Sequence, residues 1–186
     1  MLPKVFTISD LLYGYIDHKA GLIVVDTSNA NKAELLLSKL RECLDGLPCV
    51  PVSVNNDVSE NMTEWLKDRL LIDDDDNFDF GNEVELREPD DGGAIAKIKN
   101  QDLAASEIDE HLTAGKLVTK LALTWQDKIS FILSTDLTIS RIKFLNIEST
   151  GETPAERFDS DFALMTGEFT QFFNDLFELF GGINNG

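Results

Sequence analysis

Over three successive stretches in the second half of the chain, apolar and polar residues alternate with a period of two, the mark of strands that bury one face. In KLVTKLALTW, Leu117, Thr119, Leu121, Leu123 and Trp125 share one face, and Lys116, Val118, Lys120 and Ala122 share the other. In KISFIL the apolar face is Ile129, Phe131 and Leu133, with Lys128 opposite. In ISRIKF, Ile142 and Phe144 point one way, Arg141 and Lys143 the other. AIAKIKN repeats the spacing with Lys97 and Lys99. If these strands are neighbours, one face of the sheet packs the core and the other carries a row of positive charge.

Ahead of this region the pattern predicts an α/β unit. Residues 6–16 and GLIVVDT (21–27) read as strands joined by a turn at Asp17–Ala20. Asn29 to Leu44 reads as a helix, with Ala33, Leu36, Leu37, Leu40 and Leu44 on one stripe and Asp45-Gly46 ending it. CVPVSV (49–54) reads as a further strand, placed at an edge by Pro51. A short helix around Met62–Leu70 and a strand near 80–87 follow, and PDDGG turns the chain into the basic region. Leu103–Thr113 reads as a helix, with Ser106 as its cap, Glu107 and Asp109 in its first turn and Gly115 at its end.

A polar loop through Gly151 and Pro154 leads to the last helix. There Phe158, Phe162, Met165, Phe169, Phe172 and Leu176 recur at alternating steps of four and three, and Phe173, Phe177 and Phe180 widen the stripe. Such a stripe is first a core helix laid over the sheet. Its aromatic richness also fits a subunit interface, with Phe162, Phe169, Phe172, Phe173 and Phe177 as the candidates. The chain thus divides into an α/β unit (1–72), an acidic connector with a strand (73–92) and a unit with the basic strand face and the C-terminal helix (93–186).

Charge sharpens this picture. The net charge is −18 over 186 residues. Yet the stretch from Lys97 to Lys143 holds seven of the sixteen cations (Lys97, Lys99, Lys116, Lys120, Lys128, Arg141, Lys143) against six acids. More than half of the acidic excess lies instead in residues 73–110. Overall acidity argues against indiscriminate nucleic-acid binding, but a local basic face acts at short range and can meet a phosphate backbone. Two cysteines and two histidines support neither a disulfide framework nor a zinc site. No stretch has the length of a membrane span and the N-terminus does not read as a signal peptide, so a cytoplasmic location is expected.

Catalytic motifs carry little. Read as a calcium loop from Asp73, the run Asp73–Asp76 places Phe78 where glycine is required and Val84 where the bidentate glutamate belongs. It reads better as a solvated charge run. Asp26, at the end of GLIVVD, is the best single carboxylate for a metal-dependent nuclease, and reads more readily as a cap for the helix that follows. His18 and His111 have no partner in sequence, and no nucleophile arrangement is recognisable. No cofactor and no small-molecule substrate are expected.

Read residue by residue, DGGAIAKIKNQDLAASEIDEHLTAGKLVTKLALTWQDKISFIL (91–133) resembles the RdgC family of recombination-associated DNA-binding proteins. LPKVF (2–6), AGLIVVDTSNANKAELLLSKLRECLDGLPCVPVSV (20–54), TEWL (63–66), FGNEVELREPD (80–90), RIKF (141–144), FDSDFALMTGE (158–168) and FELFGG (177–182) extend the match collinearly. The resemblance implies an α+β fold, here antiparallel sheets packed with helices and ending in a long aromatic-rich C-terminal helix. It also implies a homodimeric ring around duplex DNA, association with the nucleoid and restraint of the RecA recombinase, all without catalysis. By position, Phe6 matches a family aromatic near the mobile tip. Asn100 and Gln101 match a pair on a DNA-facing finger, where Asn100 replaces a usually basic residue. Family members also carry an N-terminal region ahead of the LPKVF match, so this chain is expected to represent the C-terminal part alone, with ring closure and DNA binding weakened accordingly.

The leading expectation is therefore sequence-independent duplex binding by Lys97, Lys99, Lys116, Lys120, Lys128, Arg141 and Lys143, with Asn100 and Gln101 reaching the DNA. The alternative is an interaction or regulatory module that has lost DNA and assembles with a full-length relative. The third is the nuclease.

Overall fold

In the front of the chain two short strands, β1 (Gly14–Asp17) and β2 (Leu22–Val25), pair antiparallel, with Gly14 opposite Val25 and Asp17 opposite Leu22. The Asp17 carboxylate closes the turn by accepting from the N–H groups of Lys19 and Ala20. The helix that follows, α1 (Ala30–Cys43), starts at Asn29, whose side-chain oxygen accepts from the N–H groups of Asn31 and Lys32. Asn29 is therefore the cap, and Asp26 is not. Gly14 lies so close to this helix that an added Cβ would fall 2.9 Å from the Leu36 side chain and from the Val24 carbonyl. The predicted stripe on α1 is only half-buried, and Leu44 is exposed. One helix on two short strands has too little surface to enclose it.

The structure is a computed structural model that describes residues 11–71, 77–90, 93–145 and 152–184. The chain forms two compact units, Met1–Val50 and Pro51–Gly186. Its secondary structure is α+β, as expected. The first predicted strand is short: 11–13 are not in a strand, and 6–10 lie outside the described residues. Asp73–Asp76 and Gly151 also lie outside them, as does part of PDDGG.

The larger unit contains α2 (Val58–Asp68), β3 (Phe78–Arg87), β4 (Ile95–Lys99), α3 (Ser106–Thr113), β5 (Leu117–Trp125), β6 (Ile129–Ser134), β7 (Ile139–Phe144) and α4 (Pro154–Glu178). The five strands make one antiparallel sheet in the order β4-β3-β5-β6-β7. Between β5 and β6 the turn is tight, with Gln126 and Asp127 both at positive φ (47° and 52°). That is the backbone twist such a hairpin requires.

Two expectations fail here for local reasons. CVPVSV is not a strand: only Val54 makes an isolated bridge, to Ile183. Around it the backbone is engaged by the segment after α4. Asn55 N–H donates to the Gly182 carbonyl, Asn56 N–H to that of Phe180, and Asn184 N–H to that of Ser53. Ser106 does not cap α3: it is the first helical residue, the preceding position is Ala105, and no side chain caps that end. Asp102 instead folds the approach by accepting from Ala104 N–H.

The core face of the sheet carries Phe78, Val84, Leu86, Ile98, Leu121, Leu123, Trp125, Ile129, Phe131 and Leu133, all buried. Val118 joins them, against the strict alternation. The register steps from Leu86–Val118 to Glu85–Lys120, so a bulge inserts Thr119 and returns Val118 to the core side. A bulge disrupts the ladder locally, and two side chains of α2 take up both backbone groups of Val118. Val118 N–H donates to Thr63 Oγ1 at 2.9 Å, and Ser59 Oγ donates to the Val118 carbonyl at 2.7 Å. Thr63→Val keeps the shape and leaves this buried N–H without a partner. It is expected to cost about 1–3 kcal/mol, read as a lower urea midpoint at unchanged slope.

α4 starts with a full capping box, Thr153 and Glu156, and Pro154 at its first position. Its second half is the lid of the core. Phe172 is fully buried, with its ring centroid 4.9 Å from Phe131 and 5.8 Å from Trp125, both edge-on. Trp125 Nε1 donates to the Asp175 carboxylate at 2.8 Å. Phe169, Phe172 and Phe177 are thus core residues and Phe173 is half-buried. In the first half, Phe158 and Phe162 are exposed and stack on each other at 6.1 Å. Among the described residues, no helix is long and apolar enough to cross a membrane.

Candidate nucleic-acid interface

Within the larger unit α2 and α4 pack on one face of the sheet, and the charged residues of the strands share the other. Register fixes which side chains meet there. Lys97 lies opposite Glu85 and Lys99 opposite Glu83 on the β3–β4 pair. Lys120 lies opposite Glu85 on β3–β5, and Lys143 opposite Ser130 on β6–β7. At Arg141 the β6–β7 register shifts and φ is +53°, an uncommon conformation for a residue with a side chain. From β7, Arg141 reaches across the two intervening strands to Glu83, with Nη1 2.8 Å from both carboxylate oxygens. Gly81 keeps the middle of the face low, since a Cβ there would fall 2.7 Å from that of Ala122.

Together these residues line an open depression of about 150 Å³, walled by Glu83, Glu85, Lys97, Lys99, Lys120 and Arg141 with Ile132 and Ser140. Each carboxylate joins two cations from different strands. Glu85 is 3.0 Å from Lys97 and 3.7 Å from Lys120, and Glu83 is 2.8 Å from Arg141 and 3.8 Å from Lys99. The burial is unequal. The cation side chains are about half exposed, between 48% and 58%, whereas Glu85 is 10% exposed and Glu83 22%. The ammonium and guanidinium groups therefore stand above their carboxylates, open to a second anion from solvent.

Burial alone would push the Glu85 carboxyl up. Hydrogen bonds from Lys97 and Thr119, with the charges of Lys120 and Lys97, outweigh it and hold the group below the ordinary carboxylate range. A carboxyl lowered by folding contributes stability above its unfolded pKa, about 4.3 for Glu, and loses it as pH falls through the folded value. The urea midpoint should accordingly drop as pH falls below about 4.3, and more steeply in the wild type than in Glu85→Gln.

The sequence-predicted residues divide on this geometry. Lys97, Lys99, Lys120 and Arg141 converge, and Lys143 shares their face. Lys128 does not: it turns to the helical side, 2.9 Å from Glu168 of α4 and over the Trp125 ring at 5.3 Å. Lys116 stands beside α3, its Nζ 3.4 Å from His111 Nδ1. Both lie in alternating segments, but a position one step outside a strand end does not keep the strand's facing. Asn100 and Gln101 continue from Lys99 past the end of β4. Asn100 has φ +55° and takes a long contact (3.5 Å) from Asn82, and Gln101 is held by Asn82 and Glu107. Phe6 lies outside the described residues. Sequence reasoning missed Glu83, Glu85 and Arg87, which share this face by strand parity; the alternation in NEVELR was the available signal.

Similarity to known proteins runs through both units of the chain. The family model described as "Putative exonuclease, RdgC" matches residues 1–183. The recombination-associated protein RdgC of Aeromonas hydrophila is 42% identical over 188 residues, covering 98% of this chain and 61% of the relative. Its namesakes from Psychromonas ingrahamii and Pseudomonas entomophila are 40% and 39% identical, covering 98% and 97% of this chain. The chain thus spans about three-fifths of the length of these relatives, 60% to 61%. On the collinear match over residues 1–183 and on these identities, the chain belongs to the RdgC family.

Proposed function

We propose that this chain serves DNA recombination by binding duplex DNA without chemistry and with little sequence preference, through the open face of its five-stranded sheet. The observation that carries the reading is the convergence of Lys97, Lys99, Lys120 and Arg141, from three strands, on one exposed depression of a protein with net charge −18. Lysine and arginine contacts to phosphate position a protein on DNA and carry no base code. Occupancy of duplex in this way would restrain RecA by denying it the strands it exchanges. The reading includes a nucleoid location and a homodimer, or an assembly with a full-length relative, that places more than one such face on the DNA. The testing experiment is a salt series with a fluorescent random-sequence duplex. Log affinity should fall linearly with log salt, with a slope of about −0.9 per phosphate contacted. No binding at low salt would refute the reading for this chain.

A second reading, assembly without DNA, is favoured by the stacked and exposed Phe158 and Phe162 on the first half of α4. Light scattering of the chain alone and mixed with a full-length relative decides it. The nuclease reading has less support. Among the described residues no group of three acidic, histidine or cysteine side chains could hold a metal ion, and Glu83 and Glu85 are already taken by cations. Incubation with linear duplex and Mg²⁺ or Mn²⁺ tests it, and loss of full-length DNA would revive it.

A further inference from the structure

The basic face is not bare. Four of its cations are half neutralised in place by two carboxylates that sit lower in the sheet than the charges they hold. We propose that Glu83 and Glu85 are fixed counter-anions that set the affinity of this face, so that only an extended polyanion occupies it and does so reversibly. The proposal rests on the DNA reading above and names the residues that tune it.

Three features argue for it. First, both carboxylates lie within salt-bridge distance of the groups a phosphate would contact, and both are far less exposed than those groups. They cannot swing clear into solvent as a surface glutamate would. Second, hydrogen bonds and positive charge keep Glu85 ionised, so it competes at neutral pH. Third, cross-strand register, not side-chain chance, fixes the pairs: Glu83 with Lys99, and Glu85 with both Lys97 and Lys120. A single phosphate gains less by joining a cation pair that already shares one carboxylate, which leaves the pair a net charge of about +1. A duplex presents a phosphate every few ångströms along each strand, and its condensed counterions are released as the cations engage. Many small gains then outweigh the two resident charges. The carboxylates also preassemble the lysines, which otherwise would repel one another.

The test compares four proteins on a short fluorescein-labelled duplex of random sequence: wild type, Glu83→Gln, Glu83→Gln/Glu85→Gln, and the control Glu64→Gln/Glu178→Gln. Glu64 and Glu178 are exposed residues of α2 and α4, and the control changes net charge by the same amount as the double variant. At about 0.1 M salt the double variant is expected to bind at least ~10-fold tighter than wild type, with a log–log salt slope steeper by about one to two units. Glu83→Gln should show part of that gain, and it guards against a folding defect from the more buried Glu85. The control should move affinity less than about 3-fold, because its charges are exposed, belong to helices and not to the strands of the face, and are screened by salt. Equal gains in control and double variant, or weaker binding by both face variants, would overturn the proposal and leave DNA binding standing. Tighter binding by the face variants alone, with none by wild type, would support the proposal and refute wild-type DNA binding. Binding by none of the four would overturn both.

Discussion

Replacing Lys97, Lys120 and Arg141 together by glutamine is expected to weaken duplex binding by about two to three orders of magnitude at 0.1 M salt and to flatten the salt slope by about 2.7 units. Three phosphate contacts disappear, Glu85 loses both of its cations and Glu83 keeps only Lys99, so attraction gives way to local repulsion. Glutamine is chosen because position 141 has φ +53°. A residue of similar length keeps that backbone cost the same in variant and wild type. The urea midpoint of the triple variant is read alongside, because the recessed Glu85 loses both cations and keeps Thr119, which costs more than loss of an exposed pair. Lys128→Gln supplies the contrast. Its ammonium is committed to Glu168 on the helical side, so it should leave binding within about 2-fold of wild type while touching the docking of α4. Titrations of the three proteins by fluorescence anisotropy decide the matter. An effect from Lys128→Gln as large as that of the triple variant would place the DNA elsewhere.

Phe172→Ala should lower the unfolding free energy by about 3–5 kcal/mol. Few substitutions in this chain should cost more. The Phe172 ring lies against Phe78, Trp125, Phe131, Phe169 and Phe173, where α4 closes over the centre of the sheet. Removing it leaves a cavity that rigid strands below and a capped helix above cannot collapse to fill. Against a typical total of roughly 5–15 kcal/mol, the loss takes a third or more of the margin. Urea unfolding followed by tryptophan fluorescence reads it directly, because the Trp125 indole packs edge-on against the ring that is removed. Phe162→Ala, on the exposed half of the same helix, should change stability by less than about 1 kcal/mol in an isolated chain. If it instead costs as much as Phe172→Ala, that half of α4 is buried in an assembly, and the interaction reading gains.

The division between these two phenylalanines shows what periodicity conveys. The steps of four and three placed Phe158 through Leu176 on one stripe, and the helix formed with that stripe coherent. The stripe itself does not say where the sheet ends beneath it. Only the registers of β5, β6 and β7 decide that Phe169 is buried against Phe144 of β7 while Phe162 stays partly exposed. The same limit appears in the strands. Alternation put Lys97 with Lys99, and Arg141 with Lys143, on one side of their own strands, because parity within a strand is local; strand pairing made these sides one face with Lys120. It misassigned Val118, since a bulge at Thr119 resets the parity and is specified by Ser59 and Thr63 of α2, more than fifty residues away. It also misplaced Lys116 and Lys128, which flank strands and follow the helix neighbours they meet.

By itself, then, the sequence determined the α+β class, most of the elements and the sign of charge on one face of each strand, because these follow from periods of two and 3.6 and from residue chemistry. The collinear motifs determined the family. Tertiary structure alone decided which strands are neighbours, and with that which charges meet. β3 was legible as a strand, but nothing local says that it lies between β4 and β5. That placement sets Glu83 and Glu85 beneath the lysines. The basic row read from sequence thereby became a face of cations held two by two over recessed carboxylates. Coulomb energy depends on distances across the sheet, and those are fixed by long-range pairing.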